Sequence, residues 1–587
     1  MKLIFHYMKK YMKMIVWGVA LKLVGTLTEL LLPYILEHLI DDVVPLGQVG
    51  QIFLWGGLMI VTAVLTWQLN IRANRHAVDN AHNVSYDVRR DLFNKTTNLS
   101  GSQFDAFGLP SLTSRMTSDS YNVQSCAMSL QTLTIRAPIL LIGGIVVTMT
   151  MDWALSLILC AMLPILMIVV FTVSRKGIPM YQRVQERLDD VVRIMRENIS
   201  GIRVIKALSK SDYEIRRFHQ ANDVMTQSDI ATSTFMSVPG PFMQLCLNTG
   251  LSLVVFVGAL RVNNGQMQPG VILAFLTYFN MVMQGVMALN RVFLNISKAA
   301  ASADRIALVL AAEEEQTIVS GEEEKHSENR DAFIEFSHVN FSYHADGVSE
   351  NRDDFGGGGQ EQCLSDISFC IRKGESLGII GPTGCGKTTI INLLMRFYDV
   401  EDGAVFVDGR DVRSYPKDEL HRKFGVVFQN DILFNDTLKN NITFGRDVDE
   451  AGIQAAVSDA MAKEFIDSLE EGLDYMSDIK GANLSGGQKQ RVLISRALAG
   501  NPEILVLDDS SSALDYKTDA ALRKAIFEHH RNSTTIMVAQ RVSSVQSMTN
   551  ILVMDDGHCI GYGSHEYLLE ACPAYRDIYE TQMGSMP

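Results

Sequence analysis

The sequence has few cysteines, and none stands at a spacing that metal or redox chemistry requires. Eight thiols are scattered over 587 residues, and no two of them form a Cys-x-x-Cys pair. Neither a zinc site nor a thioredoxin-type motif is therefore indicated, and reduced thiols in membrane and cytosol are expected. Charged residues are also sparse, at 20%, against 47% hydrophobic residues. This composition excludes a disordered or collagen-like chain.

The two halves of the chain differ in charge. Residues 1–305 contain 27 Lys and Arg against 19 Asp and Glu, whereas residues 306–587 contain 25 against 47. The second half lacks the basic patch that a nucleic acid partner requires, so no such partner is expected. The net charge of −14 is thus the sum of a basic half and a strongly acidic one.

Long apolar runs occur only in the first half. Six of them approach the length needed to cross about 30 Å of hydrocarbon. They are Ile15–Ile40, Ile52–Leu69, Leu133–Thr150, Trp153–Val173, Phe242–Leu260 and Val271–Leu289. The first follows several lysines, as in a signal peptide, but continues past Lys22 to Ile40 and is too long for one. A membrane domain with six transmembrane helices is predicted.

The distribution of Lys and Arg predicts the orientation of these spans. The loop after the first span has none, whereas the segments between spans two and three and between spans four and five are rich in both. By the positive-inside rule, the N-terminus, these two segments and everything after span six are cytosolic. Each basic segment has about 60 residues, so we expect the membrane helices to extend far into the cytosol as hairpins. Phe107–Arg115 and Leu208–Tyr213 would be the hairpin tips.

Several polar residues lie inside the predicted spans. Lys22 and Glu29 are seven apart on one helix face, so they could pair, face other helices or contact a substrate. Asn248, Asn280 and Gln284 could hydrogen-bond between helices or line a cavity.

The second half begins with an acidic linker and continues as a nucleotide-binding pattern. The linker covers residues 311–331, strand-like alternation starts at Ala332, and the Gly-rich segment 347–362 is predicted to be a loop insertion. The sequence Gly381-Pro-Thr-Gly384-Cys-Gly386-Lys387-Thr388 follows an apolar strand and precedes a helical stretch, as a P-loop does. Glycines let backbone amides converge on phosphates, Lys387 adds a charge, and the Thr388 hydroxyl can bind Mg²⁺.

Two further motifs belong to the same chemistry. The strand Ile504–Leu507 ends in Asp508, which would hold Mg²⁺, and Asp509, which could polarise the attacking water. Ser485, Gly486, Gly487 and Gln488 open a helix and form a second anion-binding feature. The simplest arrangement is a sandwich of two domains, each presenting this second motif to the P-loop of the other.

Together these motifs resemble the ABC exporter family, in the form of a half-transporter. The resemblance covers nearly the whole chain and implies a membrane domain over residues 1–310 and an α/β P-loop ATPase domain over 332–587. It implies that ATP and Mg²⁺ bind and that Tyr343 stacks on adenine. Gln429 would contact Mg²⁺, Thr389 would belong to the ATP site, and Asp515 to the loop after the Mg²⁺-binding strand.

The chain departs from the family pattern at two positions. The family usually has Glu where this chain has Asp509, and His where it has Gln540. A carboxylate that lies about 1 Å short can cost about 10²-fold in rate, and glutamine cannot carry a proton. The site is predicted to bind ATP well and hydrolyse it poorly, while the signature Ser485–Gln488 is intact. This asymmetry resembles heterodimeric exporters in which one site is degenerate.

The expected function is therefore ATP-driven export of amphipathic, drug- or lipid-like molecules across the cytoplasmic membrane, by a heterodimer of this chain and a second half-transporter. A homodimeric exporter, an importer on an exporter scaffold and an ATP-gated channel or regulator remain as alternatives.

Overall fold

A computed structural model describes residues 1–312, 316–319, 325–327, 329–343, 362–510 and 513–583 of the chain. The acidic runs Glu313–Glu315 and Glu322–Glu324, Ser512 and the Gly-rich segment, apart from Gln362, lie outside these residues. The described chain divides into two compact units. The first contains Met1–Thr97 and Leu112–Ala312, and the second contains Asn98–Ser111 and Glu313–Pro587.

The first unit is built from six long helical spans, counted over the described residues. They run over Met12–Leu46, Val49–Thr97, Leu109–Met151, Trp153–Ser200, Ser211–Asn263 and Pro269–Leu310, after an N-terminal helix Lys2–Lys10. The third span consists of the helices Leu109–Ser114, Ser120–Gln131, Leu133–Pro138 and Gly144–Met151, with π-helical turns at Arg115–Asp119 and Ile139–Gly143, and the fifth consists of Ser211–Ser237 and Pro239–Asn263. All six are long and apolar enough to cross a membrane, which confirms the predicted membrane domain.

The helices are much longer than the apolar runs inside them. At a rise of 1.5 Å per residue, the 49-residue helix Val49–Thr97 is about 74 Å long, against about 30 Å of hydrocarbon. The 48-residue helix Trp153–Ser200 extends 27 residues beyond the predicted apolar end at Val173. The prediction of long cytosolic extensions is therefore confirmed.

The hairpin tips are more regular than the sequence suggests. Residues 107–115 were expected to be non-periodic, but two short helices, Gly101–Phe107 and Leu109–Ser114, occupy this region. A capping box starts the first one, because Ser100 Oγ accepts from the Gln103 amide while the Gln103 side chain returns to the Ser100 amide. Gly108 then ends it with φ +70°.

The second tip is equally compact. Helix Ile202–Ala207 follows the fourth span, and three residues separate it from helix Ser211–Ser237. Tyr213, which was expected in the tip, therefore lies in the first turn of the next helix.

Small residues and a few polar contacts hold the spans together. A Cβ on Gly18 would lie 3.1 Å from His76 Cβ, and one on Gly25 would lie 3.1 Å from Leu69 Cβ, so glycine lets spans one and two approach closely. The buried Tyr278 donates to Leu30 O at 2.6 Å and links spans six and one. Asn280 bonds to Leu276 O in its own helix, so this contact is not an interhelical one.

The second unit contains two sheets. The strands are β1 Ile334–Ser342, β2 Gln362–Ile371, β3 Ser376–Ile380, β4 Asp402–Val407, β5 Arg410–Asp411, β6 Phe424–Val427, β7 Ile504–Asp508, β8 Thr534–Val538, β9 Asn550–Asp555 and β10 His558–Gly563. One antiparallel sheet has the order β2-β1-β4-β5. The other has the order β10-β9-β3-β8-β7-β6, and all its pairings are parallel except β9 with β10.

Helices cover these sheets, and apolar residues from the two layers form the core. The helices are Lys387–Leu394, Lys417–Arg422, Leu438–Thr443, Glu450–Asp459, Lys463–Asp467, Gly486–Leu498, Tyr516–His529, Val542–Val545, His565–Ala571 and Pro573–Met583. One cluster of buried residues lies between the sheets and around Lys387–Leu394, and includes Phe336, Phe369 and Ile379. A second joins β7 to the helical layer around Gly486–Leu498. The predicted α/β P-loop ATPase domain is confirmed.

Candidate functional site: a P-loop nucleotide cavity

Three neighbouring strands end at the same edge of the central sheet, and the predicted catalytic residues lie at or just after these strand ends. β3 leads into the P-loop, β7 ends at Asp508, and β8 lies between them and ends two residues before Gln540. Because parallel strands end on the same side, ligands of α/β sheets bind outside these carboxyl ends. The strand order thus brings together segments that are more than 100 residues apart in the sequence.

The P-loop has a backbone that needs glycine. Gly384 and Gly386 have φ of +90° and +95°, in the left-handed region that side chains disfavour. A Cβ on Gly381 would lie 2.1 Å from Met554 O, and one on Gly386 would lie 2.5 Å from Leu364 Cδ2. At Gly384 a Cβ would meet nothing within 4 Å, so the loop there faces open space where phosphate could approach the backbone amides.

The cationic and Mg²⁺-binding candidates lie in the same loop. Lys387 Nζ donates to Gly381 O at 2.8 Å and to Pro382 O, so its ammonium is held over the phosphate-binding backbone. Thr388 Oγ1 donates to Asp508 Oδ2 at 3.0 Å. A hydroxyl and a carboxylate oxygen therefore meet at one point, and oxygen donors of this kind suit Mg²⁺. The residues fit MgATP, and bound Mg²⁺ would neutralise charge on the β- and γ-phosphates.

Both aspartates at the end of β7 lie in a desolvated environment. Burial raises the pKa of Asp508 above its ordinary value, although the hydrogen bond from Thr388 opposes this shift. Burial also raises the pKa of Asp509, with Lys387 and Arg541 acting in the opposite direction. Asp509 has φ +47°, a left-handed conformation that aspartate adopts more readily than most residues.

The two positions that depart from the family pattern contact each other. Gln540 Nε2 donates to Asp509 Oδ2 at 3.3 Å. The backbone of Gln540 is held from behind by the last described helix, because Gln582 Nε2 donates to Gln540 O at 2.9 Å. The Gln582 side-chain oxygen also accepts from the Val542 amide at 2.8 Å. Gln582 therefore clasps the backbone on both sides of Arg541.

These groups surround a cavity of about 170 Å³. Of the predicted site residues, the structure places the following around it: Gly384, Gly386, Lys387, Thr388, Thr389, Gln429, Asp508, Asp509 and Gln540. Gln429 lies two residues after the end of β6, and its side chain is exposed. Gly381 lies at the start of the same loop and shapes its backbone.

Tyr343 lies beside this cavity and belongs to a polar and aromatic network. Its hydroxyl donates to Thr389 Oγ1 at 3.2 Å, and its ring meets the Tyr398 ring edge-on at 5.1 Å. Tyr398 OH in turn donates to Asp105 in the first hairpin tip. The amide of Gly101 in that tip also donates to Phe397 O at 3.1 Å. A continuous set of contacts therefore links Thr389 to helix Gly101–Phe107 within the second unit.

The signature residues lie elsewhere. Ser485 caps helix Gly486–Leu498, with its Oγ accepting from the Gln488 amide and Gln488 Oε1 accepting from the Ser485 amide. None of the residues 485–488 lines the P-loop cavity of this chain, and Ser485 and Gly486 are exposed. Asp515, in the neighbouring loop, caps helix Tyr516–His529 through bonds from Thr518.

The structure also reveals neighbours of the site that no motif indicated. Cys363, at the start of β2, lines the cavity, and its thiol contacts Thr389 Oγ1 at 3.5 Å. Asn392 Nδ2 donates to Tyr343 OH at 3.3 Å. These residues and Gln582 occupy unremarkable sequence positions, so only the fold could identify them. In the P-loop itself, burial raises the pKa of the Cys385 thiol, with the neighbouring Lys387 acting in the opposite direction.

Comparison with known proteins agrees with this architecture. The family model described as ABC transporter transmembrane region matches residues 15–287, and the model described as ABC transporter matches residues 364–512. An uncharacterized ABC transporter ATP-binding protein of Bacillus subtilis (strain 168), YfiB, is 33% identical over 572 residues, which are 97% of this chain and 96% of that protein.

Further relatives and a solved structure share the same organisation. The ATP-dependent lipid A-core flippase of Vibrio vulnificus (strain CMCP6) is 31% identical over 505 residues, covering 86% of this chain and 84% of the flippase. The structure of a bacterial Atm1-family ABC exporter with ATP bound has a TM-score of 0.78 at 22% identity, over 98% of this chain and 99% of that one. This chain is thus a multi-pass membrane protein with a cytosolic ATPase domain, and it belongs to the ABC transporter family as an exporter-type half-transporter.

Proposed function

We propose that this chain exports amphipathic, drug- or lipid-like molecules as one half of a heterodimer, and that its own ATP site is hydrolytically weak. The observation on which the proposal rests is the pair Asp509 and Gln540, which contact each other at 3.3 Å where the family usually has glutamate and histidine.

The chemistry of this pair favours binding over hydrolysis. The Asp509 carboxylate lies about 1 Å short of the place a glutamate would reach, and a displacement of this size can cost about 10²-fold. The Gln540 amide can hydrogen-bond to a phosphate but cannot carry the proton or positive charge that an imidazole offers in the transition state. Lys387, Thr388 and Asp508, which would bind nucleotide and Mg²⁺, are all present.

The signature supports the presence of a partner. ABC exporters act as dimers, and the exposed Ser485 and Gly486 present a capped helix N-terminus without lining this chain's own P-loop cavity. We infer that they complete the ATP site of a second half-transporter, whose own catalytic residues are intact. Two exposed apolar residues, Leu208 in the second hairpin tip and Tyr213 in the first turn of the next helix, also support contact with another chain.

The network around Tyr343 and Tyr398 suggests how nucleotide binding reaches the membrane helices. Thr389 and Tyr343 lie at the cavity, and Tyr398 bonds to Asp105 in the segment that connects spans two and three. A shift of Tyr343 on nucleotide binding would therefore be passed to Asp105 through packed rings, and the helical hairpin would move with it. In this scheme Tyr398 is a positioning residue that does not touch ATP.

The substrate class has independent support. Lipid A-core flippases, which align over most of this chain, are named for a lipid-like substrate. A second candidate function is not favoured by any contact in the described residues.

The test uses the complex that forms when this chain is expressed with candidate half-transporters. Inside-out vesicles are supplied with MgATP and fluorescent amphipaths, and uptake is recorded together with ATP consumption. Ser485→Ala should remove most turnover, because it damages the competent site of the partner, whereas Asp509→Ala should reduce turnover only mildly. The reverse ranking would overturn the degenerate-site assignment. Efflux instead of uptake would indicate an importer, nucleotide-gated current a channel, and robust turnover of the chain alone a homodimer.

A further inference from the structure

A polar cavity lies among the first three membrane spans, far in sequence from the ATP site. It has a volume of about 400 Å³ and is open on one side. Its lining combines charged and amide side chains with apolar ones, chiefly Lys22, Glu29, Asn70, Asn74, Trp67 and Arg136.

Lys22 is held there by neutral partners. Only 5% of this residue is exposed, and its Nζ donates to Asn70 Oδ1 at 2.8 Å and to Asn74 Oδ1 at 3.1 Å. The two asparagines are four residues apart on one face of the second span, so they present their oxygens side by side. An ammonium has three N–H donors, and these two bonds use two of them.

Glu29 pairs with Arg136 and not with Lys22. Arg136 Nη2 donates to Glu29 Oε1 at 2.8 Å, which joins spans one and three. Arg136 Nε is buried and has no hydrogen-bond partner among the described residues. The cavity lining therefore contains two basic side chains and, among the described residues, one carboxylate.

An uncompensated charge inside a membrane is costly, so its retention points to function. A merely structural contact could be made by the Glu29–Arg136 pair alone, whereas Lys22 has no carboxylate partner among the described residues. Leu32, Ala63 and the half-exposed Trp67 give the same cavity an apolar wall. A donor-rich positive pole next to an apolar wall matches a molecule that has an anionic head and a hydrocarbon tail.

An anionic head group that leaves water for this cavity needs the charge compensation that Lys22 and Arg136 would supply.

We propose that this cavity binds the anionic head group, a phosphate or a carboxylate, of an amphipathic substrate, with Lys22 and Arg136 as its donors and Trp67 against its tail. This inference rests on the proposed export of amphipaths and narrows the substrate class to anions.

Trp67 supplies a direct probe of occupancy, because the chain has only four tryptophans and the others can be subtracted with Trp67→Phe. The protein in nanodiscs of zwitterionic lipid is titrated with a bromododecyl phosphate, a bromododecyl trimethylammonium of the same tail, and inorganic phosphate. The brominated phosphate should quench Trp67 at a concentration at least about tenfold lower than the brominated ammonium does. Inorganic phosphate should neither quench nor compete at that concentration.

The variants act in opposite directions. Lys22→Gln removes the charge of this side chain and should raise the half-quenching concentration of the phosphate about tenfold, whereas Lys22→Arg should keep it near the original value. Glu29→Gln frees Arg136 and should lower that concentration. Lys13→Gln, on the same helix but outside the cavity, is the matched control and should change nothing.

Equal quenching by both head groups, or an unchanged titration in Lys22→Gln, would overturn the proposed site. Competition by inorganic phosphate as strong as that of the amphipath would overturn the amphipathic class. ATP-driven uptake is measured separately in vesicles. Selective quenching without uptake would overturn the proposed export function but support the anion-binding cavity. Uptake of amphipaths without selective quenching would support export but overturn the anion-binding cavity.

Discussion

Asp509→Glu is the most direct test of why this ATP site is expected to be weak. The substitution adds one methylene and moves the carboxylate about 1 Å outward, toward the position that the family's glutamate occupies. Removing a displacement of this size should raise the rate of ATP hydrolysis at this site about 10²-fold, which is equivalent to lowering the activation barrier by about 2.7 kcal/mol. Adding Gln540→His should raise it further, because an imidazole can carry charge in the transition state.

The structure also sets the cost of this change. Asp509 has φ +47°, and a left-handed conformation costs about 1–2 kcal/mol for residues whose side chain gives no local hydrogen bond. Glutamate should therefore lower the Tm of the ATPase domain by about 2–4 °C per kcal/mol. It should also lose the 3.3 Å contact with Gln540, which is worth about 1 kcal/mol or less. Both costs lower the folding stability of the domain, whereas the lower activation barrier raises the rate of the folded protein. Net activation is therefore expected.

The assay measures phosphate release by the dimer in nanodiscs. If the partner is a different half-transporter, its P-loop lysine is first replaced by alanine, so that only the site built on Lys387 turns over. Asp509→Asn is the matched control, because asparagine keeps the left-handed backbone and an oxygen for Gln540 but cannot act as a base. If the unmodified chain already turns over at several per second, or if Asp509→Glu leaves its rate unchanged, the geometric argument is refuted.

Because burial raises the pKa of Asp508, the ionised form is disfavoured in the fold. In EDTA, without Mg²⁺, the free energy of unfolding should fall as pH rises through that raised pKa. Asp508→Asn should make this stability less dependent on pH, as measured by thermal unfolding. Tyr398→Phe removes the bond to Asp105 and should lower the amount of substrate moved per ATP, measured as the ratio of flux to phosphate release, with ATP affinity retained. Gln582→Leu should speed amide exchange at Val542 several-fold, measured by mass spectrometry, because the clasp on that amide is lost.

Some features could be predicted because their cause is local in sequence. A run of about 20 apolar residues can avoid exposing its backbone polar groups to lipid only as a helix, so the six spans followed from composition. The P-loop followed from glycines at fixed offsets before a lysine, since few other residues tolerate φ near +90° at Gly384 and Gly386. The regular hairpin tip at Gly101–Phe107 was missed, although the Ser100 and Gln103 capping pair stands in the sequence.

Contacts across long separations could not be predicted in this way. Lys22 and Glu29 share a helix face, and yet each bonds to a different span, because helix packing and not spacing decides which partner lies opposite. The same holds for Gln582, which reaches the Gln540 loop only because the last described helix packs beside it.

The sequence by itself determined the membrane and ATPase character of the two halves, the binding motifs, and the substitutions Asp509 and Gln540. Each of these depends on residue type or short spacing. Only the tertiary structure decided which groups meet: Asp509 with Gln540, Tyr398 with Asp105, and Lys22 with two asparagines beside an Arg136–Glu29 pair. These pairings arise from strand order and helix packing, which bring together residues separated by tens to hundreds of positions.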